Sequence, residues 1–176
     1  PDRVGEYVDS IRDLFGVNVG FHGHNNLMMA NANSLAAAQH GASFVDASLM
    51  SLGRGAGNAQ TESLVAVLQK ANLMPGEIDV LKLSDLGQRV VSNLLASRSA
   101  MNKQDIVAAT SFFHDSYMPF VSKYADIYHV STEELIQAVS KINVINPSEE
   151  LFETSARRLA EGKEGAKFPK FYHKCY

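Results

Sequence analysis

Residues 1–71 alternate between two hydrophobic periods. Val4, Tyr7, Val8, Ile11, Leu14 and Phe15 recur at helical spacing, and Gly16 ends that run. "VNVGF" (17–21) then alternates apolar with small or polar residues, as a short strand does. "MMANANSLAAAQH" (28–40) is Ala-rich and predicts a helix stopped by Gly41. "SFVDASLM" (43–50) is a second strand, "SLGRGAGN" (51–58) a Gly-rich loop, and "TESLVAVLQKA" (61–71) another helix. Short strands alternating with helices imply βα units and a parallel sheet. Two strands cannot make such a sheet alone, so further strands are expected from outside these residues.

The pattern changes after "NLMPGEI" (72–78), where Pro75-Gly76 marks a turn. Helical periods dominate from there. Leu83, Leu86, Val90, Leu94 and Leu95 predict a helix over 82–97, and Phe120, Val121, Tyr124, Ile127 and Tyr128 one over 115–128. "STEELIQAVSKI" (131–142) opens with Ser131 and Glu134 in capping-box spacing. "NPSEELFETSARRLAEG" (146–162) predicts a helix with Asn146 as N-cap and Pro147 in its first turn. The chain therefore reads as two parts: residues 1–75, built of βα units, and residues 76–176, a helical domain.

Composition narrows the function. The 176 residues are 45% hydrophobic and 20% charged, ordinary for a globular protein, and no run approaches a membrane span. A net charge of −3 offers no electrostatic footprint for nucleic acid. The single cysteine, Cys175, excludes an intramolecular disulfide and makes a cytoplasmic setting the expectation. The chain opens inside a helical stripe without Met, which suggests the C-terminal part of a longer protein.

The chemistry concentrates in "GFHGHNNL" (20–27). In an extended strand, residues i and i+2 share a face, so His22 and His24 project together. Imidazole is a common ligand of divalent transition metals. H-x-H alone is equally well two exposed histidines at a strand end. The position favours a metal, because the pair closes a parallel strand just before a helix, where βα folds build their sites. Asn25 and Asn26 stand ready to orient ligands or bind substrate oxygens. "GRGAGN" follows the next strand, on the same rim. It matches neither dinucleotide nor P-loop spacing, and its glycines read as a tight turn that shapes the pocket. Arg54 either meets an anion or is solvated. Asp46 and Ser48 alternate on the second strand, as supports of the site or as satisfied core polars. His40 is expected at a helix C-terminus, Met28 and Met29 in the core, and "FPKFYHKCY" (168–176) packed on a neighbouring helix. His129 and His173 have no recognisable partner in the sequence.

"GFHGHNNL", "ANS", "GASFVDASLMSLGRGAGNAQTE" and "VAVLQ" follow one another at tight spacing. Together they resemble the C-terminal part of the 4-hydroxy-2-oxovalerate aldolase family, metal-dependent pyruvate aldolases of the barrel lyase and synthase group. The resemblance is dense over residues 18–70 and colinear to about residue 160. It implies the C-terminal part of a (β/α)8 TIM barrel followed by an α-helical communication domain. It implies that His22 and His24 ligate Mn²⁺ or another divalent ion (Co²⁺, Mg²⁺ or Zn²⁺). His22 and Asn26 would lie against a 2-oxo acid substrate. The family's third ligand, an Asp, and its His base fall outside this chain. The implied reaction cleaves a 4-hydroxy-2-oxo acid to pyruvate and an aldehyde. The implied partner is an acylating acetaldehyde dehydrogenase that receives the aldehyde, in a homodimer or heterotetramer. One departure stands out: in "ATSFFHDSY" (109–117), His114 occupies the position of a family Tyr that reaches the active site. His114 either replaces that phenol or is a surface His at a helix start. Two further readings remain at this point: a Claisen-type lyase or synthase acting on acyl-CoA, and a non-catalytic interaction module.

Overall fold

The computed structural model describes residues 1–94 and 102–163. The chain divides into two compact units, Pro1–Ile106 and Val107 onward.

In the first unit, α1 (Asp2–Phe15) ends at Gly16, whose left-handed φ of 62° lets its N–H reach the Arg12 carbonyl. β1 (Gly20–His22) and β2 (Phe44–Asp46) pair in parallel, with Gly20 opposite Phe44, Phe21 opposite Val45 and His22 opposite Asp46. α2 (Ala30–Gln39) is the crossover between them, and α3 (Thr61–Lys70) follows the Gly-rich loop. Val8, Val19 and Ala37 form one small core between α1, the sheet and α2. Ala30, Ala59, Leu64 and Leu68 form another between α2 and α3. The small side chains of "ANANSLAAA" (30–38) let α2 lie close to its neighbours: Ala30 and Ala37 are fully buried.

The boundary expected at residues 75/76 falls inside this unit. α4 (Val80–Val91) begins at Asp79, whose carboxylate accepts from the N–H groups of Leu81 and Lys82. It packs on α3 and on the tight turn at 49–51, which extends the unit to Ile106. The helix expected over 82–97 is regular only to Val91; residues 92–94 form a tighter turn and 95–97 lie outside the described residues.

The second unit is helical. α5 (Lys103–Thr110) carries the division between the units, and α6 (Met118–Tyr128), α7 (Thr132–Ile142) and α8 (Glu149–Lys163) enclose one core. Val121, Leu135, Ile136, Val139, Phe152 and Ala156 are fully buried there. Ser131 caps α7 as its spacing predicts, accepting from the Glu134 N–H. α8 starts two residues later than Asn146 as N-cap and Pro147 as first helical residue suggest. Asn146 is drawn elsewhere: its Oδ1 accepts from the Tyr117 hydroxyl and its N–H donates to the Asn143 side chain. The expected packing of residues 168–176, and with it His173 and Cys175, lies outside the described residues.

Two further expectations are corrected. Met28 and Met29 are not core residues: they are 67% and 41% exposed. Met28 has a φ of 59°, and its N–H closes a turn onto the Asn25 carbonyl, which faces both methionines outward between β1 and α2. The apolar stripe of α1 is only half used. Val8 is buried, whereas Tyr7, Leu14 and Phe15 stay 61–76% exposed.

Candidate metal centre

The His pair lies where β1 runs out. His22 is the last residue of the strand, one position beyond the predicted end. His24 is held by its backbone, which bridges to Asn58 of the Gly-rich loop. Two hydrogen bonds flank that bridge, Asn25 N–H to the Gly57 carbonyl at 2.8 Å and Ala59 N–H to the Gly23 carbonyl at 3.1 Å. The two sequence motifs are thus stitched into one rim.

The imidazoles of His22 and His24 stand edge to face, with ring centres 5.0 Å apart. That separation falls both in the range for two imidazoles on one ion, roughly 4.5–5.2 Å with each nitrogen about 2.1 Å from it, and in the roughly 4.5–7 Å range of an ordinary edge-to-face ring pair. Asp46 lies directly across the ladder, its Oδ2 3.3 Å from His22 Nδ1. Among the described residues no group of three or more His, Cys, Asp or Glu side chains is arranged to hold a metal.

Asn25 and Asn26 separate in role. Asn25 Oδ1 accepts from the Ala30 N–H at 3.2 Å and so anchors the start of α2. Asn26 is half-buried and has no hydrogen-bond partner among the described residues. Ser48 Oγ donates to the Leu52 carbonyl and belongs to the loop's internal bonding. Arg54 is exposed.

Sequence reasoning missed the groups that hold the rim. Glu62, 6% exposed, aims both carboxylate oxygens at the Met50 N–H, at 3.0 and 3.1 Å. Met50 and Ser51 both have left-handed backbones, with φ of 51° and 59°. Such conformations cost about 1–3 kcal/mol each and persist only where the surroundings impose them. Gly57 is part of that constraint: its φ is 92°, and a Cβ there would strike the Ser51 carbonyl. Gly87 of α4 lies against the Glu62 carboxylate, where a Cβ would collide with it. Asn31 ties α2 to the loop, since its Oδ1 accepts from the Gln60 N–H at 2.8 Å and its amide donates to Ser63 at 2.7 Å. A carboxylate placed just after a Gly-rich loop, in "GNAQTE", was the available signal.

His114 belongs to the second unit, where it caps a short turn at 115–117. The Ser116 N–H donates to its Nδ1 at 3.2 Å. The Ser116 hydroxyl lies 2.7 Å from the same nitrogen, which ties the ring into its own turn. His129 ends α6 with a left-handed φ of 51°. His40 ends α2 as predicted, and its Nδ1 lies 2.6 Å from Asp9.

A family profile described as HMGL-like matches residues 1–90, just over half the chain. The chain belongs to the HMGL-like family. Within it, the chain is 33% identical over 163 residues to the 4-hydroxy-2-oxovalerate aldolase of Geobacillus thermodenitrificans, covering 93% of this chain and 47% of that protein. It thus spans about half the length of the curated relatives it matches. The N-terminal domain of a candidate aldolase from Bacteroides vulgatus aligns over 59% of the chain and 36% of its own, with 28% identity and a TM-score of 0.50. The carboxyl transferase domain of Rhizobium etli pyruvate carboxylase, solved with pyruvate, covers 95% of the chain and 31% of its own at a TM-score of 0.68 and 18% identity, which is a likeness of fold. The HMGL-like match contains both rim motifs, and α4 is its last element.

Proposed function

We propose that this HMGL-like chain is the metal-binding half of a divalent-metal aldolase that cleaves a 4-hydroxy-2-oxo acid, such as 4-hydroxy-2-oxovalerate, to pyruvate and an aldehyde. The observation that carries it is the His22–His24 pair at one-ion spacing on the rim of a parallel βα unit. The 4-hydroxy-2-oxovalerate aldolase relatives supply the reaction class. On this reading β1 and β2 are strands of a TIM barrel completed outside the chain, and the helical domain serves communication with other subunits.

When bound, the ion, Mn²⁺ or another divalent metal, supplies Lewis-acid stabilisation of the enolate of pyruvate. His22 and His24 would hold it through imidazole nitrogens. A base from outside this chain takes the 4-hydroxyl proton, the C3–C4 bond breaks as C4 becomes the aldehyde carbonyl, and the electron pair is left on the three-carbon enolate, which is protonated at C3. Asn26, with a free amide, binds a substrate oxygen beside the pair. By the family resemblance, His114 takes the role of the family phenol. Transfer of the aldehyde to an acylating acetaldehyde dehydrogenase and a homodimeric or heterotetrameric assembly rest on the family resemblance, and a cytosolic setting on the single cysteine. No helix among the described residues is long and apolar enough to cross a membrane.

The test uses the full-length protein and follows exchange of pyruvate methyl protons with deuterated water. Exchange that needs Mn²⁺, stops on chelation and is lost in His22→Ala or His24→Ala is the expected result. A folded, metal-loaded protein that exchanges nothing sinks the aldolase reading. His114→Phe should leave exchange intact while slowing cleavage, since it removes the group at the phenol's position and not the enolate site.

A further inference from the structure

His22 and His24 account for two ligands, but not for what fixes their rings. A histidine binds a metal well only when one nitrogen is presented and the other is occupied, because that second bond sets tautomer and orientation. For His22 the structure offers one candidate. Asp46 sits opposite it in the parallel ladder, and its Oδ2 lies 3.3 Å from Nδ1. Among the described residues no other polar side chain meets the His22 ring; its remaining neighbour is the edge-on ring of His24 at 5.0 Å.

We propose that Asp46 is the positioning residue of the metal centre: it receives the His22 Nδ1–H and leaves Nε2 as the ligating nitrogen. The proposal rests on the metal reading above and deepens it. The pair does little for stability, since the two side chains are 48% and 69% exposed and exposed ion pairs contribute little. Strand register nonetheless holds them together on the rim, which is what orienting a ring requires. At 3.3 Å the two groups are within ion-pair reach, and rotation of the exposed Asp46 side chain brings its carboxylate into line with the Nδ1–H. Asp46 is also not placed as a third ligand, because it meets His22 at Nδ1 and no three-residue metal group forms.

The test is Mn²⁺ affinity of the full-length protein, read from the electron paramagnetic resonance signal of free Mn²⁺, with thermal unfolding of the metal-free form as control. Asp46→Ala should weaken binding about 10–100-fold with an unchanged unfolding midpoint. Asp46→Asn, whose amide oxygen still accepts the Nδ1–H, should recover part of that loss. Unchanged affinity in Asp46→Ala, beside lost binding in His22→Ala, overturns the positioning role and leaves the metal reading standing. Binding abolished in Asp46→Ala as fully as in His22→Ala would make Asp46 a ligand instead. An Asn variant no better than Ala would assign the effect to charge rather than orientation. Unchanged binding in His22→Ala would remove the metal reading, and this proposal with it.

Discussion

The two compact units solve the problem of burial differently. The second gathers its core into one cluster, in which Val121, Leu135, Ile136, Val139, Phe152 and Ala156 are all fully buried, while Phe112 and Ile145 lie 86% and 87% exposed outside it. The first has two small clusters and leaves Leu14, Phe15, Phe44 and Leu81 64–78% exposed. Its sheet has two short parallel strands, whereas parallel sheets are normally covered on both faces. A helical bundle satisfies its backbone within each helix and needs only side-chain packing. A βα unit must borrow strands and neighbours. The unit that carries the His pair is thus the one whose core is divided into two small clusters, and the chain spans about half the length of the curated relatives it matches.

The sharpest way to break this contrast is a pair of Phe truncations. Phe152 is fully buried against Phe113, Tyr117 and Phe120, with ring centres 5.5–6.2 Å away. Phe152→Ala should cost about 3–5 kcal/mol in denaturant unfolding of the second unit. Phe44→Ala, at a side chain 64% exposed, should change the stability of this chain by no more than about 0.5 kcal/mol. In the full-length protein the Phe44 penalty should rise toward that of a core residue. Equal small effects in both contexts would mean that nothing covers the first unit.

The next largest effect concerns the rim. Glu62→Ala removes the acceptor of the Met50 N–H and releases two left-handed residues. It should cost about 1–3 kcal/mol. Gly57→Ala should cost at least about 1 kcal/mol, since a side chain there meets both an unfavourable φ and the Ser51 carbonyl. Both variants should weaken Mn²⁺ binding in the full-length protein, because the same loop pins the His24 backbone through Asn58. Affinity that survives either change would separate the loop from the metal centre.

Legibility in the sequence followed the range of the interactions involved. α1, α2, α3 and α7 were readable within a few residues because local chemistry ends them: the left-handed turn at Gly16, the cap at Ser131. α5 was missed although "NKQD" carried its signal. Asn102 and Asp105 exchange side-chain and backbone hydrogen bonds, each at 3.0 Å, a capping box in Asn and Asp instead of Ser and Glu. The start of α8 was misplaced because Asn146 is claimed by Tyr117, a contact 29 residues away in sequence. The same limit applies at the site. His22 and His24 were visible as a local motif. That Asp46 faces His22 depends on strand register, and that Glu62 holds Met50 depends on the path of the loop; neither has a period to read.

The smallest effect separates the units by acid. In the first, Asp9 is held below the ordinary carboxylate range, chiefly by its hydrogen bond to His40, with His40 and Arg12 charges adding to it. This clamp joins α1 to the end of α2 remote from the His pair, and Arg12 completes it by donating to the His40 carbonyl at 2.6 Å. In the second, Glu149 is lowered first by Lys123, 2.6 Å away, and then by the Tyr124 hydroxyl, 3.0 Å away. A carboxylate depressed in the folded state contributes stability that is present above its unfolded pKa and lost as pH falls through its folded pKa. Both units should therefore weaken on the acid side, below about pH 4, and neither through these groups at neutral pH. Asp9→Asn should flatten the acid limb of the first unit alone, and Glu149→Gln that of the second alone, read by hydrogen exchange resolved along the chain. These clamps are exposed, so the shifts should be small beside those of Phe152 or Glu62. If either variant flattened both limbs, the units would unfold as one, and the contrast between them would have to be given up.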